Sequence, residues 1–310
     1  MTRAINDGRS TIEAKPLPRV ELGPVSLTVS NLERELRFYE TALGLRVIFG
    51  KAEKVLLAAG GKPLVELVER PGAARVRPSA GLYHLALRYP RRGDLGRVLL
   101  RLSERGAGIL GASDHGVSEA VYLSDPEGNG IELYWDRPRE EWPTRGGQIR
   151  FSNGPLDIRA LVALAQEESE RLEPGPSESL DNVVLGHVHL QVGDLEAADR
   201  FYVDLLGFEK KAEFPGQAHF VAAGDYHHHL AYNVWAGRGV VAPPPGSRGL
   251  RFFTLLLPSE EDLQQLLGRL REARRPEEKR RVSGAEGQEG VLVHDPSGNG
   301  VLLAAQVGRL

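Results

Sequence analysis

The chain contains no cysteine, and this absence narrows the chemistry that it can perform. Without thiols there can be no disulfide, thiolate nucleophile, zinc-finger cage or iron–sulfur cluster. Any metal must therefore be held by histidine, aspartate or glutamate, and the nine histidines of the chain are the first candidates.

Long apolar runs and a large excess of one charge are also missing. No segment approaches the roughly 18 residues of a membrane span, and the polar residues 1–15 do not resemble a signal peptide. The formal net charge is −3, and lysine and arginine form no long run. We therefore expect a cytoplasmic protein that binds neither nucleic acid nor membranes.

A long internal repeat is the first positive feature of the sequence. Its 310 residues are enough for about two domains. Residues 22–33 return as residues 185–196, and the hexapeptide at 125–130 returns at 295–300. A duplication of this kind indicates that the two halves of the chain have the same architecture.

Each half of the repeat divides again into two similar quarters. In the first quarter a strand over 25–29 is followed by Asn31, a preferred helix N-cap, and by a helix that runs to Gly44, which suits the C′ position. Two or three short strands then end near Glu69. The other quarters begin near residues 81, 185 and 249; in the second we expect a strand over 83–87, a helix over about 94–105 and strands between 117 and 134.

This order predicts an α+β fold of four βαβββ modules, named first to fourth along the chain. An open four-stranded sheet with one helix leaves its concave face uncovered, so we expect the modules to pair into open β-cups. The predicted organisation is a flexible arm (1–19), a first domain (20–138), a linker with one helix (139–184) and a second domain (185–307).

The run from His115 to Glu132 is the most informative stretch of the chain. Its centre, Asp-Pro-Glu-Gly-Asn-Gly at 125–130, has the residues of a tight hairpin turn, and its flanks alternate as strands do. Tyr122 and Glu132 are therefore predicted to lie on neighbouring strands. Because a carboxylate within an apolar strand is costly to bury without a cation, we expect Glu132 to meet a metal.

Four such modules, with Phe-Tyr and Leu-Gly around the first helix of each half, resemble the vicinal oxygen chelate superfamily. Its members include glyoxalase I, extradiol dioxygenases, fosfomycin-resistance enzymes and bleomycin-binding proteins. The run from His115 to Glu132 is similar to the extradiol dioxygenase signature, in which a histidine precedes a tyrosine, Asp-Pro-x-Gly and a metal-binding glutamate. The overall likeness is to the two-domain bacterial catechol 2,3-dioxygenases.

The resemblance implies where a metal would bind. In this superfamily, ligands lie early in the first strand and within the last strand of a module. The matching residues are His84, Glu132 and His187 in the second and third modules, against Pro24, Phe252 and Leu302 in the first and fourth. If the second and third modules share a cup, it holds a 2-His-1-carboxylate triad, which suits non-haem Fe(II) or Mn(II). The other cup would then hold no metal.

The resemblance also implies catalytic residues around the metal. The acid–base histidine of the family has the motif His-x-aliphatic-Ala-aromatic, which residues 228–232 match, so His228 is the preferred acid–base residue. Consecutive strand residues face opposite sides, so a register error of one residue would give this role to His229. His115 and Tyr122 would hydrogen-bond substrate oxygens or a reaction intermediate.

These residues predict an extradiol dioxygenase that inserts both atoms of O₂ into a catecholic small molecule. Homo-oligomers are common among such cups. Two alternatives stay open: a glyoxalase-like metal isomerase or lyase, and a non-catalytic protein that binds an aromatic or cationic ligand. Glyoxalase-like sites resemble a four-ligand cage with a second glutamate, whereas the corresponding strand here is expected to hold the histidines at 227–229.

Overall fold

The structure, a computed structural model, describes residues 16–146, 148–171, 180, 182–284 and 288–306. Most of the arm predicted at 1–19, and residues 172–179 of the predicted linker, therefore lie outside the described residues. The end of that arm packs on the third module, because Leu17 is buried and its backbone N–H donates to the carbonyl of Gly207. The domain bounds 20–138 and 185–307 stay a prediction.

The first half of the chain contains two modules of the expected order. The first module consists of β1 (Glu21–Leu22), β2 (Val25–Val29), α1 (Leu32–Thr41), β3 (Arg46–Lys51), β4 (Lys54–Ala59) and β5 (Lys62–Glu69). The second consists of β6 (Gly81–Tyr89), α2 (Arg92–Glu104), β7 (Ile109–Asp114), β8 (Ser118–Ser124) and β9 (Gly130–Asp136). A 3₁₀ turn (Arg139–Glu141), β10 (Thr144–Arg145), β11 (Gln148–Ile149) and α3 (Ile158–Arg171) follow.

The second half repeats the order of the first. The third module consists of β12 (Val184–Gln191), α4 (Leu195–Asp199) with a π-helical continuation (Arg200–Leu205), β13 (Glu209–Phe214), β14 (Ala218–Ala222) and β15 (Leu230–Asn233). The fourth consists of β16 (Gly249–Leu257), α5 (Glu260–Glu272), β17 (Glu278–Arg281), β18 (Glu289–His294) and β19 (Gly300–Ala305).

The modules pair across the two halves of the chain. One sheet has the strand order β13-β14-β15-β12-β6-β9-β8-β7 and joins the third module to the second, so we call it the 2/3 sheet. The other has the order β17-β18-β19-β16-β2-β5-β4-β3, with β1 added to β16, and we call it the 1/4 sheet. The junctions are antiparallel pairs, β6 with β12 and β2 with β16. The predicted α+β fold of paired βαβββ modules is confirmed.

Three local predictions differ from the structure. Strand β7 was not expected before residue 117; it is an edge strand with three exposed residues at its start, so it lacks the alternation that marks a half-buried strand. Helix α2 begins two residues early, because Asp94 lies in its first turn and accepts the N–H of Arg91. Helix α1 ends at Thr41, and Gly44 takes its positive φ of 76° two residues beyond the C-cap Ala42.

The repeated Asp-Pro-x-Gly-Asn-Gly turns are structural. Asp125 accepts the backbone N–H groups of Glu127 and Asn129 at 3.0 and 2.7 Å, and the hydroxyl of Tyr39 donates to it across the module boundary. Tyr202 donates in the same way to Asp295 at 3.1 Å. The tyrosine of each Phe-Tyr pair therefore ties one module to the turn of the next.

Within the described residues, no helix combines the length and hydrophobicity needed to cross a membrane.

A buried carboxyl group makes the first of these boundaries sensitive to pH. The side chain of Glu35 on α1 is 0% exposed. Burial, followed by the charges of Asp125 and Glu127, raises the pKa of Glu35 from 4.5 to about 9. The repeat aligns Ala198 with Glu35, so the second boundary has no such group.

Replacing Glu35 by glutamine is expected to remove this sensitivity. Between about pH 4.5 and 9 the folded protein keeps the proton that the unfolded chain loses, so the free energy of unfolding falls as the pH rises. Glu35→Gln should therefore gain about 4 kcal/mol relative to the original protein between pH 5 and pH 8. Urea unfolding at both pH values measures this, with the exposed Glu33→Gln as control. Parallel pH curves for Glu35→Gln and the original protein would contradict it.

Candidate metal centre

Alternation along β6 separates the core from the concave face of the 2/3 sheet. Leu85, Leu87 and Tyr89 belong to the apolar core that also contains Leu95 of α2. The intervening residues of β6 point the other way, because successive side chains of a strand face opposite sides. His84 therefore faces the cup, as the sequence predicted.

Three neighbouring strands bring the other predicted ligands to the same level. Ala86 of β6 is in register with Glu132 of β9 on one side and with His187 of β12 on the other. The pairing shifts at Gly186, where a β-bulge lies and where a Cβ atom would meet the hydroxyl of Tyr134 at 1.7 Å. The small Ala86 side chain leaves space above it for the Glu132 and His187 side chains to meet.

The side chains of His84, Glu132 and His187 converge in the cup. The Nε2 atoms of His84 and His187 lie 3.0 and 3.1 Å from the same oxygen, Oε2 of Glu132. All three residues are buried, with 2 to 6% exposure. One ligand atom from each lies within 4.8 Å of the others, as a shared metal ion requires.

The chemistry of the three groups fits a divalent metal. Burial alone would raise the pKa of Glu132, but His187 and His84 outweigh it and hold that pKa well below its usual range. Burial lowers the pKa of His187, which favours the neutral imidazole that a metal binds. Although His84 Nε2 lies 3.0 Å from the carboxylate, this buried atom has no hydrogen-bond partner among the described residues. A cation shared by the three groups would satisfy them all.

A cavity of about 290 Å³ opens above the triad. Its walls are largely aromatic, with Phe151, Phe214, Phe220 and Trp235 around the predicted ligands. His189 also lines the cavity, but its Nε2 accepts a hydrogen bond from the Asn233 amide at 2.9 Å, so it belongs to the wall. The cavity therefore suits a flat apolar ring with polar groups directed at the triad.

His115 and Tyr122 lie together at this cavity. The carbonyl of Ser152 accepts from His115 Nδ1 at 2.9 Å, which leaves Nε2 of His115 as an acceptor. The Tyr122 hydroxyl donates to that Nε2 at 2.6 Å. Tyr122 is directly opposite Glu132 in the antiparallel pair of β8 and β9. Burial and the charge of Glu132 raise the pKa of Tyr122, so it stays protonated.

The triple histidine does not lie in a strand, contrary to the expectation for residues 227–229. These residues form an irregular turn before β15. Only His228 of the three lines the cavity, with its ring centroid 4.2 Å from that of His187. His229 points elsewhere: its Nδ1 accepts the N–H of Ala223 at 3.3 Å, and burial lowers its pKa to about 3. Strand alternation therefore does not decide between His228 and His229; the turn itself brings His228, the residue that the motif favours, to the cavity.

A buried chain behind His228 was not predicted from the sequence. Nδ1 of His228 lies 2.7 Å from Nδ1 of His227, whose Nε2 lies 2.7 Å from Oδ1 of Asp136. Burial would raise the pKa of Asp136, but the hydrogen bond and charge of His227, together with Arg88 and Tyr226, outweigh it and lower that pKa. The period of two along β9 was the available signal, because it places Asp136 on the same face as Glu132. Phe151, from the predicted linker, carried no signal beyond being apolar in a polar stretch.

The 1/4 sheet has a different arrangement at the matching positions. Ser26 is in register with Glu66, as Ala86 is with Glu132. The 1/4 sheet therefore also has a carboxylate at this level, in addition to the predicted ligand positions Pro24, Phe252 and Leu302. Glu66 pairs with the ammonium of Lys54 and lies 3.4 Å from Arg251. Protein cations therefore neutralise this carboxylate, and the triad in the 2/3 sheet is the one group of possible metal ligands found among the described residues.

Comparisons with known proteins agree with this geometry. The sequence model of one protein family, the Glyoxalase/Bleomycin resistance protein/Dioxygenase superfamily, matches residues 21–133 and 184–303. A catechol-2,3-dioxygenase of Bacillus subtilis (strain 168) is 40% identical over 257 residues, 81% of this chain and 88% of that protein. Biphenyl-2,3-diol 1,2-dioxygenase 3 of Rhodococcus globerulus is 30% identical over 157 residues, 46% of this chain and 83% of that protein. The structure of glyoxalase I from Zea mays, at 16% identity and 92% coverage of both chains, has a TM-score of 0.55 and shares the fold.

We expect one divalent metal ion per chain, held by the triad. Glu132→Gln should weaken binding at least about a hundredfold, because loss of even the residues behind a ligand costs tenfold to a hundredfold. Metal analysis after Fe(II) or Mn(II) loading and gel filtration measures the stoichiometry. Glu66→Gln is the matched control from the 1/4 sheet and should keep one ion. Retention of the ion by Glu132→Gln, or its loss from Glu66→Gln, would contradict the assignment.

Proposed function

The chain belongs to the glyoxalase/bleomycin resistance protein/dioxygenase superfamily and is an extradiol dioxygenase, and we propose that it cleaves a catechol at a single non-haem Fe(II). The observation that carries the proposal is the buried convergence of two imidazoles and one carboxylate in an aromatic cavity. In this proposal His84, His187 and Glu132 hold the metal. When bound, Fe(II) supplies electron transfer between the catecholate and O₂.

His228 is positioned to accept the catechol proton. A carboxylate can only accept hydrogen bonds, so Asp136 fixes the proton of His227 on Nε2. Nδ1 of His227 then accepts, and Nδ1 of His228 donates. This order leaves Nε2 of His228 with a free lone pair, as a general base requires. Asp136 and His227 thus act as positioning residues.

Tyr122 and His115 supply polar contacts on another side of the cavity. The Tyr122 hydroxyl, held by His115, can turn toward a substrate oxygen and donate to it. The aromatic wall excludes water, which strengthens each of these polar contacts. Together these residues orient the diol toward the triad and leave the carbon ring against apolar side chains.

No observation favours a glyoxalase-like isomerase over this proposal. Such a site resembles a cage with a second glutamate. In the third module, the strand position that corresponds to Glu132 is Ala231, which is in register with His189. Alanine offers no ligand atom, so three protein ligands leave several coordination positions for substrate and O₂.

Ring cleavage is the direct test of this function. The protein loaded with Fe(II) should consume one O₂ per catechol and give a yellow product that is heavier than catechol by two oxygen atoms. An oxygen electrode and mass spectrometry measure both quantities, and Glu66→Gln should retain the activity. Absence of oxygen uptake with catechol and with alkylcatechols, in protein that holds about one Fe(II) per chain, would contradict the proposal.

Replacing His228 and its neighbour His229 one at a time tests which of the two is the general base. Loss of a general base typically costs about 10²- to 10⁴-fold in rate, so we expect a fall of this size in kcat for His228→Gln, with the metal content unchanged. Turnover with catechol at saturating O₂, measured beside the metal content, tests this. A larger loss of kcat in His229→Gln than in His228→Gln would reverse the assignment.

A further inference from the structure

A second cavity, of about 530 Å³, adjoins the metal-site cavity. His84 and Tyr122 line both cavities, so the two spaces share a wall beside the proposed metal centre. The outer wall comes from the connection that precedes β6 and from residues 243–250, which lead into β16. Its volume lies within the range of about 300–1,000 Å³ that small-molecule sites occupy.

The walls of the second cavity carry charge of one sign. Arg75, Arg77 and Arg248 line it, and none of the other described residues in its wall is an aspartate or glutamate. Burial, and then the neighbouring Arg77, lower the pKa of Arg75, as expected where guanidinium groups crowd one another. An anion between these groups would relieve their repulsion.

The two carboxylates whose charges act on Arg75, those of Asp125 and Glu127, are already engaged. Asp125 accepts the backbone and side-chain N–H groups of Asn129, both at 2.7 Å. Glu127 accepts the backbone N–H of Ser30 at 2.8 Å and a guanidinium N–H of Arg34 at 2.9 Å. Arg248 Nη1 lies 3.8 Å from this carboxylate, and Arg248 Nε is buried with no hydrogen-bond partner among the described residues. Arg77 is exposed and forms no ion pair with the residues that the structure describes. The second cavity therefore has guanidinium N–H donors that are available to a ligand.

We propose that this cavity binds the carboxylate of a side chain on the catechol ring. The inference rests on the proposed function, because the shared wall at His84 and Tyr122 places the ring at the metal and the side chain among the arginines. Guanidinium groups suit this role because their paired N–H donors match the two oxygens of a carboxylate. The substrate class is thus a catechol with an anionic substituent. Ring cleavage also creates a carboxylate, so the product of plain catechol is a second source of the same group.

A matched pair of substrates tests the proposal. 3,4-Dihydroxyphenylacetate and 3-(3,4-dihydroxyphenyl)propionate are compared with their methyl esters, which keep the ring and remove the charge. For at least one pair, kcat/KM should favour the acid by about tenfold or more, since hydrogen bonds to charged groups are worth this much. In the double variant Arg77→Gln/Arg248→Gln the ratio should fall to about one, and Arg77→Lys with Arg248 intact should retain part of it. Arg159→Gln, on the exposed face of α3 and outside both cavities, should keep the full ratio.

The outcomes distinguish this proposal from the function on which it rests. Cleavage of catechol and of the esters without preference for either acid would overturn the carboxylate site alone. The same conclusion follows if the double variant weakens inhibition by the catechol cleavage product but leaves the acid-to-ester ratio unchanged, because the cavity would then serve the product. If no catechol, ester or acid consumes O₂, the proposed function fails and this inference fails with it.

Discussion

The antiparallel pairing of β6 with β12 is the contact on which the site depends. It joins the second module to the third. His187, from the second half of the chain, thereby lies beside the carboxylate of Glu132, from the first half. The corresponding pair, β2 with β16, closes the 1/4 sheet, and the described residues around it form no such triad. Pro24 and Phe252 replace the histidines there, and Glu66 meets Lys54. Two sheets of the same origin thus neutralise a buried carboxylate in different ways, one with protein cations and one, in our proposal, with a metal.

The signature run divides its residues between stability and chemistry. Asp125 accepts hydrogen bonds from its own turn and from Tyr39, and the repeat preserves this arrangement at Asp295 in a module pair without the triad. Tyr122 and Glu132 face the cup instead. A signature therefore identifies a site partly through residues that only hold its strands in place, and this is why the hexapeptide recurs where the ligands do not.

The sequence predicted much of this architecture because its local signals agree. Alternating strands, the Asn31 cap and the repeated turn fix four modules, and the complementary ligands His84, Glu132 and His187 indicate which modules pair. The rest depends on tertiary contacts. Strand β7 lies at an edge and lacks alternation. The turn at 226–229 is held by side chains such as Tyr226 and His227, which both bond Asp136, and not by a ladder that periodicity could show. The second cavity is lined by segments of both halves of the chain, so no single stretch of sequence predicts it.

The central claim is that one metal ion, bound between the second and third modules, defines the reaction centre of this chain. Anomalous diffraction at the iron absorption edge, on crystals grown without oxygen in the presence of Fe(II), tests it most directly. The account predicts one anomalous peak per chain, within bonding distance of His84, His187 and Glu132, and none near Glu66. A peak in the 1/4 sheet, or an iron-loaded crystal with no peak at the triad, would contradict it.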